Sequence, residues 1–303
     1  MNNMTISKFK YIALIFSAIG FSVSCTKDEV EWPTDFDVKT EKNVFIVDEP
    51  VEFLLSGNPN FVIFYSGENG KKYENANRTK ADGQQIINFE TSAQNGNQVN
   101  SLALMISSDF SGTYNAQGVK SATWTDITSR ATLSMGTANV KSGDVDISDF
   151  ASEDQVYIAF KFTGEASSTS PQRQWTIRNF TLHNNLTDGT VYPIFANISA
   201  PNWLAVNVLN PAVGWATPSA TQLSINGGPV NTPDNEDWII SSAVGLRNIT
   251  PDRATLVRDM TTRSNSFSYQ FSTPGKYTVT FVGINHTVYG ERSQVREINL
   301  EIQ

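Results

Sequence analysis

The sequence predicts an all-β protein built from β-sandwiches, and three observations favour this class. Apolar residues recur at every second position in several short segments, most clearly in residues 156–162. A period of two is typical of a strand with one buried face. Clusters of Gly, Asn and Pro, such as residues 57–60, separate these segments as turns do. Nowhere do apolar residues hold a helical period over three turns, so layered sheets are the expected architecture.

The strands are expected in the following order along the chain. Alternation or short apolar runs predict strands at residues 51–55, 61–65, 102–106, 156–162, 175–180, 237–242, 267–271, 277–281 and 298–302. Residues 71–85 are polar and are expected to form a loop, and residues 247–264 are polar, with acids and arginines mixed. Residues 193–237 are rich in Asn, Pro and Gly and carry only weak strand signals.

The first residues have the features of a secretory signal. Lys8 and Lys10 precede an apolar run, Tyr11 to Val23, that is too short to span a bilayer as a helix. A basic segment, an apolar segment and a small residue before the cut are typical of a signal peptide, here predicted as residues 1–24. The new N-terminus would be Cys25, the single cysteine of the chain. An idle thiol in a cleaved signal is the alternative.

The residues around the cut resemble a bacterial lipobox, with Ser22 where leucine is usual. The resemblance implies that Cys25 is the lipid attachment site. Lys27, Asp28 and Glu29 resemble the signal that sends Bacteroidota lipoproteins to the outer face of the outer membrane. The expected protein is therefore a surface lipoprotein of the outer membrane that faces the exterior and has no transmembrane helix. Several acyl chains hold such a protein firmly.

Charge excludes two classes of partner. The chain of 303 residues has 22 basic and 30 acidic residues, and loss of Lys8 and Lys10 with the signal leaves 20 against 30, a net charge of −10. Nucleic acid and anionic bilayer surfaces both require clustered positive charge, so neither is an expected partner. With one cysteine no internal disulfide is expected, and stability must come from apolar burial and strand pairing.

Two separated segments resemble one domain type. Residues 274–281, Pro-Gly-Lys-Tyr-Thr-Val-Thr-Phe, resemble the end of a polycystic-kidney-disease (PKD) type immunoglobulin-like domain. Residues 48–53 and 64–70 resemble its beginning, without the usual Trp and Phe. The resemblance implies an immunoglobulin-like sandwich formed by residues 44–80 and 262–303, after a lipidated tether at residues 25–43.

The middle of the chain is similar to jelly-roll modules of the cleaved-adhesin or choice-of-anchor type. The resemblance rests on residues 106–112, 124–127, 143–148, 156–160 and 175–177. Such modules usually begin with Asp-Trp-Leu-Ile-Ser, whereas the counterpart here, residues 237–241, comes last. We therefore expect a circularly permuted, galactose-binding-like jelly roll at residues 81–261, inserted into the immunoglobulin-like domain. Exposed loops with adjacent ends tolerate insertion and permutation.

Motifs for catalysis are missing from the sequence. His183 and His286 have no ligand spacing, and no nucleophile elbow, phosphate loop or dinucleotide fingerprint occurs. Enzyme activity and a cofactor are not expected. The resemblance to jelly rolls implies a structural calcium ion at Asp109, Asp144 and Asp146, although carboxylates that face water are the alternative.

Aromatic residues supply the candidate binding surface. Trp203, Trp215 and Trp124 are candidates for stacking on a sugar, with packing in the fold as the alternative. The first functional hypothesis is glycan binding beside a nutrient-uptake transporter of the starch-utilisation type. The second is adhesion, in which the chain binds a protein, matrix or neighbouring lipoprotein. Both rest on fold analogy.

Overall fold

The structure, a computed structural model, describes residues 29–303. Its strands are β1 (Asp37–Thr40), β2 (Val44–Phe45), β3 (Pro50–Ser56), β4 (Phe61–Tyr65), β5 (Gln84–Gln94), β6 (Leu102–Ser107), β7 (Thr125–Asp126), β8 (Val140–Lys141), β9 (Val145–Asp146), β10 (Tyr157–Gly164), β11 (Gln174–Asn185), β12 (Val191–Phe195), β13 (Leu204–Leu209), β14 (Gln222–Ile225), β15 (Asn235–Ile240), β16 (Thr255–Arg258), β17 (Ser266–Gln270), β18 (Gly275–Thr287) and β19 (Gly290–Ile302). The helix α1 is Ala116–Ser121, and 3₁₀ turns occur at Tyr73–Asn75, Thr128–Arg130 and Ser148–Phe150. The prediction of an all-β, sandwich-like protein is confirmed.

The chain divides into two compact units. Unit 1 contains residues 29–67 and 254–303 of the described chain, and unit 2 contains residues 68–253. The sequence of unit 2 therefore interrupts that of unit 1. At the ends of unit 2 the backbone N–H of Arg253 donates to the carbonyl of Gly70 over 3.1 Å.

Unit 1 has two sheets. One has the order β1–β3–β17, and the other has the order β16–β4–β18–β19–β2. Residues of β3 alternate between exposed and buried, and Val51, Phe53 and Leu55 form its buried face, as the period of two predicted. The ring of Phe53 lies 5.7 Å from that of Phe64 on β4 and 5.0 Å from that of Phe281 on β18. The two sheets thus share one aromatic core.

A buried arginine closes one end of this unit. Arg258, at the end of β16, is only 2% exposed. Its guanidinium donates to the carbonyl of Ser264 over 2.6 Å and to the carbonyl of Gly57 over 3.1 Å. Burial lowers the pKa of Arg258, with a smaller effect of the Arg263 charge. The carbonyls compensate in part for the lost hydration of the cation.

Unit 2 is built from two larger sheets. One has the order β13–β15–β10–β6–β7, and the other has the order β12–β11–β5–β8, with β14 also paired to β11 and β9 to β5. The inner faces meet in one apolar core, where the ring of Phe160 on β10 lies 5.2 Å from that of Phe89 on β5. The long strands β5 and β11 are antiparallel over most of their length. Unit 2 is therefore a sandwich.

The outer face of the β10 sheet is also covered. Ile158, Phe160 and Phe162 face the core as predicted, but Tyr157 and Ala159 on the other face are buried as well. The segment with Phe110, α1 and Trp124 packs over them. A period of two in the sequence shows one buried face, whereas tertiary packing covers both.

Two short segments with similar sequences repeat one local structure. Asp126-Ile127-Thr128 follows β7, and Asp146-Ile147-Ser148 follows β9. In each, the Asp carboxylate accepts a hydrogen bond of 2.8 Å from the backbone N–H two residues later. Each isoleucine is at most 1% exposed and enters the core. The aspartates thus fix the start of a 3₁₀ turn, as Asx turns do.

Candidate ligand cleft

A cleft of about 470 Å³ opens on unit 2. Its lining comes from four stretches of chain: residues 99–103, the turn at 126–128, residues 133–135, and the start of β11. Strand pairing holds these stretches together, because Met105 of β6 lies opposite Asp126 of β7. The volume falls within the range of roughly 300–1,000 Å³ that is common for small-molecule sites.

Arg173 supplies a cation at the cleft. Its Nη1 donates to the carbonyl of Gln98 over 3.1 Å, and its Nη2 donates to the carbonyl of Met135 over 2.7 Å. The Nε group is buried and has no hydrogen-bond partner in the described chain. The ion pairs found among residues 29–303 do not include Arg173. The guanidinium also lies over the ring of Trp175, 5.8 Å from its centroid, so the cation is fixed at the cleft without a carboxylate of the described chain to neutralise it.

Asp126 and Asn100 add an anion and an amide. Asp126 uses Oδ1 to accept from the N–H of Thr128, and its Oδ2 has no hydrogen bond to the described residues. Asn100 is exposed and has a positive φ of 57°, a conformation that Asn and Gly adopt at low cost. Both side chains are thus held by local backbone geometry at the cleft.

The apolar part of the cleft has a rigid floor and an exposed rim. Trp175 is only 3% exposed, and its Nε1 donates to the Oγ of Ser101 over 2.9 Å. At the rim, Val99 is 60% and Met135 is 73% exposed. Exposed apolar side chains beside charged and amide groups form the mixed surface that an amphipathic ligand requires.

The predicted tryptophan platform is not present on the surface. Trp203 is 5% exposed, and its Nε1 donates to the carbonyl of Ile198 over 2.7 Å. Trp215 is 8% exposed and belongs to the same core. Stacking on a sugar requires a free ring face, so we correct the assignment: Trp203 and Trp215 are core residues. The ring of the half-buried Trp124 lies 4.9 Å from that of Trp238, at a tilt of 48°, on the outer face of the sheet.

The predicted calcium ligands do not come together. Asp109 accepts from the Oγ of Ser107 and the N–H of Thr123, and hydrogen bonds from these two residues lower the pKa of Asp109. Asp144 accepts from the amide of Asn88 over 2.7 Å, and Asp146 forms the turn described above. Residues 29–303 contain no group of three or more His, Cys, Asp or Glu that could hold a metal. These carboxylates therefore stabilise turns and loops.

A buried polar cluster, formed by Trp215, Asn235 and Asp237, was not predicted from the sequence. Asp237 is 1% exposed, and neither of its oxygens has a hydrogen bond to the described chain; the same is true of Trp215 Nε1 and of the Asn235 amide. Burial raises the pKa of Asp237 to about 7, the charge of Glu236 adds to the rise, and the nearby Asn235 amide opposes it without forming a well-aligned hydrogen bond. No sequence signal distinguishes Asp237 from other strand aspartates.

The predicted anchor lies at the edge of what the structure describes. Cys25, Lys27 and Asp28 fall outside the described residues, and Glu29 is the first residue inside them. Within residues 29–303 no helix has the length and apolarity needed to cross a bilayer.

Comparison with known proteins gives one family. Residues 24–203 match the family DUF5017, described as a domain of unknown function. No curated protein and no solved structure matches the chain.

Proposed function

The chain belongs to the DUF5017 family, and we propose that it is a lipid-anchored protein of the outer membrane that binds glycans at the cell surface. The cleft of unit 2 is the proposed binding site. We propose that the protein captures a polysaccharide beside a nutrient-uptake transporter of the starch-utilisation type. We further infer that unit 1 is an immunoglobulin-like sandwich and unit 2 a permuted jelly roll.

The composition of the cleft carries the proposal. Arg173, Asp126 and Asn100 offer a donor, an acceptor and an amide beside the exposed Val99 and Met135. A pyranose has hydroxyl groups at its edge and apolar C–H groups on its faces, so it satisfies both kinds of surface at once. Hydrogen bonds to charged groups contribute about 1.5–3 kcal/mol each, which is enough for useful affinity from a few contacts.

Binding without catalysis fits the same lining. Glycoside hydrolysis usually needs two carboxylates on opposite sides of the bond. Among the described residues that line the cleft, Asp126 is the only carboxylate, and none is a histidine or a cysteine. The proposal is therefore capture of an intact glycan.

The proposed location rests on the first 29 residues. A signal-like segment followed by Cys25 supports lipidation, and Lys27, Asp28 and Glu29 support surface export. The negative charge of the mature chain fits a surface protein that binds neutral glycans. Lipid chains would keep the cleft near the cell without a membrane span.

Substitutions at the cleft are expected to weaken glycan binding about tenfold each. Asn100→Gly removes the amide but tolerates the positive φ, and Asp126→Asn removes the charge but keeps an oxygen for the Thr128 N–H. The measurement is calorimetric titration of the folded chain from Thr26 with glycans that score in a panel of plant, host and microbial sugars.

Matched controls exist in the same unit. Asn231→Gly also replaces an exposed asparagine of positive φ, 68°, and Asn231 does not line the cleft. Asp146→Asn changes the equivalent turn after β9. If Asn100→Gly and Asp126→Asn both kept the glycan affinity of the unchanged protein, the glycan site would have to lie elsewhere on the protein.

A second candidate function, adhesion to a protein, is favoured by one observation. Strand β13 is the outer strand of its sheet and exposes Leu204 (48%) and Leu209 (51%). Outer strands with exposed apolar residues readily pair with another chain. Two results together would favour adhesion over glycan binding. The protein would bind no glycan of the panel, and it would bind a protein ligand in a way that Leu209→Lys abolishes.

A further inference from the structure

The hairpin formed by β18 and β19 ends in an exposed apolar tip. Thr287 pairs with Gly290, which leaves Val288 and Tyr289 as the turn. Val288 is 93% exposed, the largest exposure among the large apolar residues described, and Tyr289 is 59% exposed. Two such adjacent residues at the end of a rigid hairpin are typical of a contact surface.

The N-terminal segment runs along this hairpin. The indole of Trp32 stacks under the guanidinium of Arg292 at 5.0 Å, and Trp32 is itself 54% exposed. One residue earlier, the carbonyl of Glu31 accepts from the Nδ2 of Asn285 over 3.0 Å. Asn285 and Arg292 are paired across the hairpin, so both contacts lie at the same distance from its tip.

Val30 shows which way the segment runs. It is 8% exposed, and a Cβ placed on Gly290 would lie 4.0 Å from its Cγ2. Gly290 is two pairs closer to the tip than Arg292. The chain therefore approaches the tip as it is traced back from Trp32 to Val30.

We propose that the tip, Val288 and Tyr289 with the neighbouring Trp32, is a second membrane contact that inserts into the lipid surface holding the Cys25 anchor. This inference rests on the lipidation proposed above. Val30 comes five positions after Cys25, and an extended chain spans at most about 17 Å over five steps. The anchor thus keeps the tip close to the bilayer.

The residue types fit a lipid surface. Tyr and Trp are enriched at membrane interfaces, where the ring lies among apolar groups and its polar edge faces the headgroups. Charges around the tip are mixed: His286 Nδ1 lies 3.6 Å from a carboxylate oxygen of Glu291, and Arg292 is close by. The contact is therefore apolar and should persist at high salt, unlike the binding of a basic patch.

The test places a dye at the tip of the complete lipoprotein. Val288→Cys is labelled with an environment-sensitive fluorophore, since the thiol of Cys25 is consumed by the lipid. The protein is reconstituted in phosphatidylcholine vesicles that contain lipids brominated near the headgroup. We expect a blue shift of the emission and loss of intensity by bromine quenching, both unchanged by salt.

Ile46→Cys is the matched control. Ile46 is also exposed, at 63%, and follows β2, which pairs with residues 301–302 at the far end of β19. That end is about 40 Å from the tip along the strand. A dye at Ile46 should remain unquenched.

Two results separate the tip from the anchor. A vesicle-bound protein with an unquenched dye at Val288 overturns the tip contact and leaves the anchor standing. Absence of acyl mass on the Cys25 peptide in mass spectrometry overturns the anchor, and the tip contact with it.

Discussion

Replacement of Trp203 by alanine is expected to lower the free energy of unfolding of unit 2 by about 3–5 kcal/mol. The ring of Trp203 lies 5.1 Å from that of Phe180 and 5.8 Å from that of Phe160, which belong to opposite sheets. Truncation would open a cavity between the sheets and remove the bond from Nε1 to the Ile198 carbonyl.

Denaturant unfolding followed by tryptophan fluorescence measures the loss of stability in unit 2. Five of the six tryptophans belong to unit 2, and the remaining one, Trp32, is half exposed in unit 1. Trp32→Ala is the control and should change stability by less than about 0.5 kcal/mol. If Trp203→Ala kept its stability but lost glycan binding, Trp203 would be a ligand residue after all.

Replacement of Asp237 by asparagine is expected to stabilise the protein at neutral pH. Burial raises the pKa of the Asp237 carboxyl from its ordinary 3.8 to about 7, so its ionisation opposes folding. Below about pH 3 the carboxyl is protonated in both the folded and the unfolded state, and its ionisation does not affect stability. As the pH rises toward 7, the unfolded state ionises and folding stability falls by up to about 4 kcal/mol.

The gain from Asp237→Asn should therefore be near zero at pH 3, should grow as the pH rises to 7, and should be constant above that. Denaturant unfolding of unit 2 across this pH range checks it. Asp109→Asn is the control: hydrogen bonds from Thr123 and Ser107 lower the pKa of Asp109, so its replacement should give a loss of stability that grows with pH, opposite in sign to the gain at Asp237. A gain independent of pH would mean that the pKa of Asp237 is the same in the folded and unfolded chain, which would contradict the prediction.

The sequence predicted the strands whose pattern depends on a single buried face. β3 and the inner face of β10 follow the alternation of Val51 to Leu55 and Val156 to Phe162. α1 was missed because six residues are too few to show a helical period. The sequence left open whether Trp203 packs in the fold or binds a sugar, since the composition of the surrounding segment describes its backbone and not the direction of one side chain.

The cleft could not be predicted for a different reason. Asn100, Asp126, Met135 and Arg173 are distant in the sequence, and each is an ordinary loop or turn residue. They meet only because β6 pairs with β7 and the loop at residue 135 is held by Arg173. Long-range pairing of this kind has no local signal.

The interruption of unit 1 by unit 2 has a consequence for biosynthesis. Residues 254–303 complete both sheets of unit 1 and are made after all of unit 2. Both partners of β4, which are β16 and β18, and the second partner of β3, which is β17, therefore follow the 186 residues from 68 to 253. A flexible loop of that length would cost about 4–5 kcal/mol to close.

Unit 2 removes most of that cost once it is folded, because Gly70 and Arg253 at its ends are already joined by a hydrogen bond. Folding is therefore ordered: the insert forms first and presents the two halves of unit 1 to each other. A mutation that unfolds unit 2, such as Trp203→Ala under mild denaturant, would then separate strands of unit 1 that it never touches.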